Sequence, residues 1–170
     1  MTGEFSTGVL SAPHKLQKSD VRAGFCSGAP ELDEWLEKYA YQNQRANNSV
    51  TYVAKIDNQV VAYYSIATAG VERQDAPESL RKHRPSEIPC VLLARFAVDV
   101  RIQGRGIGAS MLRDAVERVL GLADQLGVAA LLIHCRDESA KNFYMRLLGA
   151  LESPADELQL MVPIRAIAQS

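Results

Sequence analysis

The spacing of hydrophobic positions changes several times along the chain, and each change predicts an element. From 31 to 46, Leu32, Trp35, Leu36 and Tyr39 recur at helical spacing behind acidic residues, which predicts an amphipathic helix ended by Asn47-Asn48. SVTYVAKI (49–56) is rich in β-branched and aromatic residues, Asp57-Asn58 suits a tight turn, and QVVAYYSIATA (59–69) returns, so an antiparallel hairpin is expected. Residues 70–90 hold three prolines and read as a long connection with room for one short helix, the kind of segment that often carries function.

The second half has a different rhythm. VLLARFAV (91–98) is an apolar strand, followed by a glycine-rich turn and a helix from about 106 to 126 with Met111, Leu112, Ala115, Val116, Val119, Leu122 and Leu126 on one face. Gly127 stops that helix. VAALLIHC (128–135) is a continuous apolar run, as in a strand covered on both faces. A helix over 137–148 with Asp137 as its N-cap follows, then Gly149 and a last strand over 158–164. Strand–helix–strand implies a right-handed crossover between two parallel strands. The fold class is therefore α/β, a mixed central sheet with an antiparallel N-terminal hairpin and a parallel strand pair, flanked by helices, in one domain over 1–170.

The turn Arg101-Ile102-Gln103-Gly104-Arg105-Gly106-Ile107-Gly108 carries the most chemistry. The first turn of a helix has N–H donors without partners, and the helix dipole adds partial positive charge there, so the turn suits a phosphate or pyrophosphate. Gly106 and Gly108 allow close backbone approach, and Arg101 and Arg105 can add charge-assisted contacts. No Gly-Lys-Ser/Thr follows, which excludes a P-loop, and no second nucleotide-binding half follows, which argues against a dinucleotide fold. An ordinary strand–turn–helix corner is the competing reading.

Composition narrows the class further. With 170 residues, 47% of them hydrophobic and 23% charged, the chain is long enough for one well-formed core. No apolar run reaches membrane-span length, and MTGEFSTGVLSAPHK lacks the pattern of a secretory signal, so a cytoplasmic location without membrane contact is expected. Cys26, Cys90 and Cys135 are widely separated and His14, His83 and His134 have no ligand-like spacing, so neither disulfides nor a metal is expected. A net charge of −1 and the lack of a helix-turn-helix pattern disfavour DNA binding. The charge is uneven, however. Arg81-Lys82-His83-Arg84 form a basic cluster, either a solvated loop or a contact for an anionic partner. Arg95 interrupts an apolar strand, where an unpaired charge is costly, so it forms either a salt bridge at the sheet edge or an acceptor contact.

The spacing Gln103-x-x-Gly106-x-Gly108 resembles the signature with which GCN5-related N-acetyltransferases (GNAT) hold the pyrophosphate of acetyl-CoA. The element order over roughly 9–165 is similar to that family's, and Ala140-x-x-Phe143-Tyr144 resembles its A-x-x-(F/L)-Y segment. The chain further resembles the acetyltransferase toxins of bacterial toxin–antitoxin modules. The likeness rests on Phe25-Cys26-x-Gly28, Leu32-Asp33-x-Trp35-Leu36, Tyr63-Tyr64-Ser65, Ile88-Pro89 and Ala94-Arg95-x-Ala97-Val98-Asp99. Two departures bear on the acceptor side: the toxins typically have Gly-Arg at Ala94-Arg95, and MRLLGALESP after Tyr144 carries about one extra residue.

The resemblance implies acetyl-CoA as co-substrate and no metal. It implies a cofactor site of Ala97, Val98, Arg101, Gln103, Gly104, Arg105, Gly106, Ile107, Gly108 and Asp137. Tyr144 is implied as the acid that protonates the departing thiolate, with N–H groups near Ala97 and Val98 polarising the thioester. Aminoacyl-tRNA would be the acceptor, with Arg95, Arg81, Lys82 and Arg84 lining its groove, and a small ribbon–helix–helix antitoxin the partner. Homodimerisation stays open. So do two other readings: a GNAT enzyme acting on a polyamine, an antibiotic or a protein N-terminus, and an acetyl-CoA-binding module without catalysis.

Overall fold

The computed structural model describes residues 8–168. The leader reading rests partly on residues 1–7, which lie outside the described residues, as do 169–170 at the end of the expected domain. The strands are β1 (His14–Lys15), β2 (Val50–Ile56), β3 (Gln59–Glu72), β4 (Glu87–Val98), β5 (Ala130–His134), β6 (Leu151–Glu152) and β7 (Gln159–Pro163). The helices are α1 (Pro30–Lys38), α2 (Ala40–Arg45), α3 (Ile107–Ala123), α4 (Glu138–Leu148) and α5 (Ile164–Ala168). The hydrogen-bonded order is β1-β2-β3-β4-β5-β7-β6, with β1–β2–β3 antiparallel, β4–β5 parallel and β5–β7–β6 antiparallel. This is the mixed sheet that the hydrophobic pattern predicts.

The chain forms two compact units. The first runs to Ile66 and adds Arg95–Ala115. Its core gathers Leu16, Phe25, Leu36, Val53, Val60 and Tyr63 around the hairpin and α1. A second patch joins Ile56, Val61 and Ile102 beneath the glycine turn. The Asp57-Asn58 turn is as expected: both residues have positive φ, 50° and 66°, the conformation that matches the twist of a two-residue hairpin.

The second unit holds Ala67–Ala94 and the chain from Val116. Its core packs Val71, Leu80, Ile88, Cys90, Leu132 and Met161 together. Parallel pairing of β4 with β5 runs from Cys90↔Ala130 to Leu93↔Ile133, while β4 itself continues to Val98. α4 is capped at both ends as its sequence predicts. The Asp137 carboxylate accepts from Ala140 N–H at 2.8 Å, and Gly149 sits in the left-handed conformation (φ 59°) with its N–H on Met145 O.

Several boundaries differ from the sequence reading. The helix expected over 31–46 is broken at Tyr39 (φ −120°). Gln44 explains the turn, because its side chain donates to Leu16 O and accepts from Thr51 N–H, which ties α2 to neighbouring backbone. The connection shrinks to 73–86, since β3 and β4 extend through Gly70 and Pro89. Pro89 is tolerated because it contributes only its carbonyl, which accepts from Ala129 N–H. α3 ends at Ala123, tightened by a Gln125 N–H bond to Leu122 O, and this leaves Leu126 exposed rather than on the packed face.

Candidate active site

The turn between β4 and α3 is built around a carboxylate. Asp99 has a fully buried side chain, and its Oδ1 accepts from Arg101 N–H at 3.0 Å and from Arg101 Nε at 2.9 Å. Its Oδ2 accepts from Arg101 Nη2 at 2.7 Å and from Cys26 N–H at 3.1 Å. Burial pushes this carboxyl up, but the bonds from Arg101 and Cys26 outweigh burial and leave it below the usual carboxylate range. Arg101 Nη2 also donates to Gly24 O. Arg101 therefore braces the turn through a bidentate pair. The sequence offered Asp99 within a motif but gave it no role.

Gln103 closes the turn by donating from Nε2 to Val98 O at 2.9 Å and to Ser27 O at 3.3 Å. Ser27 is fixed in turn, its hydroxyl donating to Asp33 Oδ1 at 2.6 Å. Gly104 (φ 82°) and Gly106 (φ 76°) are the positions whose backbone requires glycine. A Cβ at either would meet no heavy atom within 4 Å, so the space over them is open to a ligand. Gly108 is different, lying within the first turn of α3 without a positive φ. Arg105 stands exposed between these two glycines, Gly104 and Gly106, and Ile107 opens α3. Ala97 is buried and Val98 half-buried at the end of β4. The cradle is open at Gly104 and Gly106 and stands at the N-terminus of α3, where the first turn of a helix has N–H donors to offer an anion such as a pyrophosphate.

Tyr144 lies on α4 and is 7% exposed, edge-on to Phe143 with ring centroids 5.3 Å apart. Burial, with a smaller contribution from Cys135, pushes its hydroxyl well above the usual tyrosine range. It stays protonated at physiological pH, the form a proton donor needs. Asp137, expected at the cofactor, has its carboxylate committed to capping α4 and lies 3.6 Å from Arg136. Burial also pushes the thiols of Cys90 and Cys135 up to about 11, which suits small core residues rather than nucleophiles.

Arg95, read from the sequence either as a salt bridge at the sheet edge or as an acceptor contact, lies over an aromatic face, its guanidinium carbon 4.2 Å from the Trp35 ring centroid. Trp35 stacks on Tyr63 (14° between planes), whose hydroxyl donates to Leu32 O at 2.7 Å. Sequence reasoning placed Trp35 on the apolar face of a helix and within a family motif but gave it no role beside Arg95. In the basic connection, Arg81 donates to Ala76 O at 2.8 Å and to Gln74 O at 3.3 Å, which makes it a strut of its own loop. Lys82 is exposed and Arg84 half-buried. Among the described residues no group of His, Cys, Asp and Glu could hold a metal, and no helix is long and apolar enough to cross a membrane.

A model of the acetyltransferase (GNAT) family matches residues 16–150. The chain belongs to this family and, within it, to the toxin acetyltransferases. The tRNA-acetylating toxin of Mycobacterium tuberculosis (strain ATCC 25618 / H37Rv) is 39% identical over 152 residues, 89% of this chain and 91% of that protein. The "Probable toxin TacT" of Sinorhizobium fredii (strain NBRC 101917 / NGR234) is 30% identical over 156 residues, 86% of each chain. The structure of AtaT complexed with acetyl-methionyl-tRNAfMet matches with a TM-score of 0.87 at 26% identity, covering 95% of this chain and 98% of AtaT. Membership makes this chain an acetyl-CoA-dependent N-acetyltransferase.

Proposed function

We propose that the protein is a cytoplasmic toxin, a single N-acetyltransferase domain over 1–170 that moves the acetyl group of acetyl-CoA onto the α-amino group of aminoacyl-tRNA and so stops translation. A small ribbon–helix–helix antitoxin neutralises it. The observation that carries this reading is the open glycine cradle on a chain 39% identical to a tRNA-acetylating toxin.

An α-amino group titrates at about 7.7–8.0, so an appreciable fraction is the free base near pH 7 and no strong general base is required. The amine nitrogen attacks the thioester carbon, a C–N bond forms and the C–S bond breaks. The proton lost by the amine balances the one gained by the thiolate. Tyr144 delivers that proton and is reprotonated from solvent. The N–H groups near Ala97 and Val98 polarise the carbonyl. Gln103, Gly104, Arg105, Gly106, Ile107 and Gly108 hold the pyrophosphate, while Arg101 acts on it through the shape of the turn. Arg95, Lys82 and Arg84 are the candidate contacts for the acceptor. Orientation of the two substrates supplies much of the rate.

Competition between acceptors tests this reading. Labelled acetyl-CoA is offered with total aminoacyl-tRNA, a polyamine and a peptide together. Label in the tRNA fraction is expected. Efficient labelling of polyamine or peptide with none in tRNA would replace the proposed acceptor, and no transfer at all would favour a binding module.

A further inference from the structure

The connection 73–86 has two faces of different electrostatic character, one balanced and one positive. On one, a broad recess of about 1240 Å³ is lined by Glu72, Glu78 and Glu87 together with Arg73, Arg81 and Lys82, so the two signs balance over the recess. On the other, a cavity of about 630 Å³ is lined by Ser79, Lys82, His83, Arg84 and Arg165. Its remaining wall is apolar, from Leu80, Ala129, Pro163 and Ala166. No carboxylate stands among the described residues that line it. Gathering three permanent cations without a counter-charge is unfavourable for the protein alone and becomes favourable when an anion enters.

Two further observations fall on residues that line this cavity. Arg84 Nε is shut off from solvent and has no hydrogen-bond partner among the described residues, an unusual state for a charged donor. His83 has φ 61°, left-handed for a non-glycine residue, in a turn closed by Arg84 N–H on Arg81 O. That turn presents Lys82 and His83 side by side, and strain of this kind clusters where ligands bind.

We propose that this cavity is a phosphate-binding site that shares no residue with the glycine turn. Guanidinium groups from Arg84 and Arg165, the Lys82 ammonium and the Ser79 hydroxyl match the several acceptor oxygens of a phosphate. The phosphate comes either from an RNA backbone or from free phosphate or pyrophosphate. The RNA source rests on the tRNA reading above, whereas the pocket does not.

Nitrogen-15-labelled full-length protein is titrated separately with inorganic pyrophosphate and with an unacylated RNA hairpin, following the Arg84 Nε–H and His83 ring signals. Both signals are expected to shift and saturate with at least one ligand. Saturation by the hairpin alone assigns an RNA backbone, and saturation by pyrophosphate alone assigns a free phosphate. The doubly substituted Lys82→Gln/Arg165→Gln protein alters two exposed side chains and should bind at least tenfold more weakly at unchanged acetyl-CoA affinity. The proposal is overturned if neither ligand moves the Arg84 signal, or if the shift persists undiminished in the double variant. Absence of tRNA acetylation alongside intact pocket binding would remove the acceptor reading and leave the pocket standing.

Discussion

A hydroxyl kept from water holds its proton more tightly, and Tyr144 shows what a nearly buried position on α4 does to a tyrosine. Tyr144→Phe keeps the ring and its packing and removes only the hydroxyl. The expected result is a fall in kcat of about 10²–10⁴-fold, typical of losing a general acid, with acetyl-CoA affinity and circular dichroism unchanged. A rate near that of the unsubstituted protein would make Tyr144 a core residue. Asp99 carries a different consequence. Its carboxyl lies below the unfolded value of about 3.9, so the stabilisation it gives is complete above about pH 4 and fades as pH falls through the folded pKa. Asp99→Asn should cost about 2–4 kcal/mol at pH 7, because Arg101 and Cys26 N–H lose a buried charged acceptor. Urea unfolding between pH 2 and 7 checks this: the variant should show a smaller loss of stability on acidification, and parallel curves would refute the role given to Asp99.

At the scale of elements, the glycine turn is the feature on which cofactor binding rests. Gly106→Trp places a side chain in the open cradle and in a left-handed conformation that costs an L residue about 1–2 kcal/mol. Acetyl-CoA binding measured by calorimetry should disappear while the protein stays folded, and undiminished affinity would reject the turn as the site. This turn was legible because its glycines follow an apolar strand and open an amphipathic helix. The caps of α4 and the Asp57-Asn58 hairpin were legible for the same reason, since they depend on local backbone chemistry. The break at Tyr39 was not, because no glycine or proline marks it and the bonds from Gln44 that set α2 reach across the fold. The bracing of Arg101 by Asp99, the face of Trp35 under Arg95 and the inward turn of Arg81 were hidden likewise. Each is a choice of partner made in three dimensions, and residue type alone announced only that a charge was present.

For the whole molecule, a net charge of −1 means that any affinity for RNA must come from local groupings such as Lys82, Arg84 and Arg165. Transfer to tRNA should weaken as salt rises, each phosphate contact adding roughly 0.7–0.9 to the log–log slope, whereas transfer to a small amine would be nearly insensitive. Measuring kcat/KM for tRNA between low and physiological salt reads this directly, and a flat profile would deny that the acceptor's backbone is recognised. The upstream reading frame, co-expressed with this chain, should co-purify and suppress the transfer. The most direct test of the central claim is the site of the acetyl group. Aminoacyl-tRNA is incubated with the protein and acetyl-CoA, digested to aminoacyl-adenosine and analysed by mass spectrometry. The account predicts one added acetyl on the α-amino nitrogen, strongly reduced in Tyr144→Phe. Unmodified aminoacyl-adenosine from the active protein, or an acetyl group located on the ribose or a base, would contradict it.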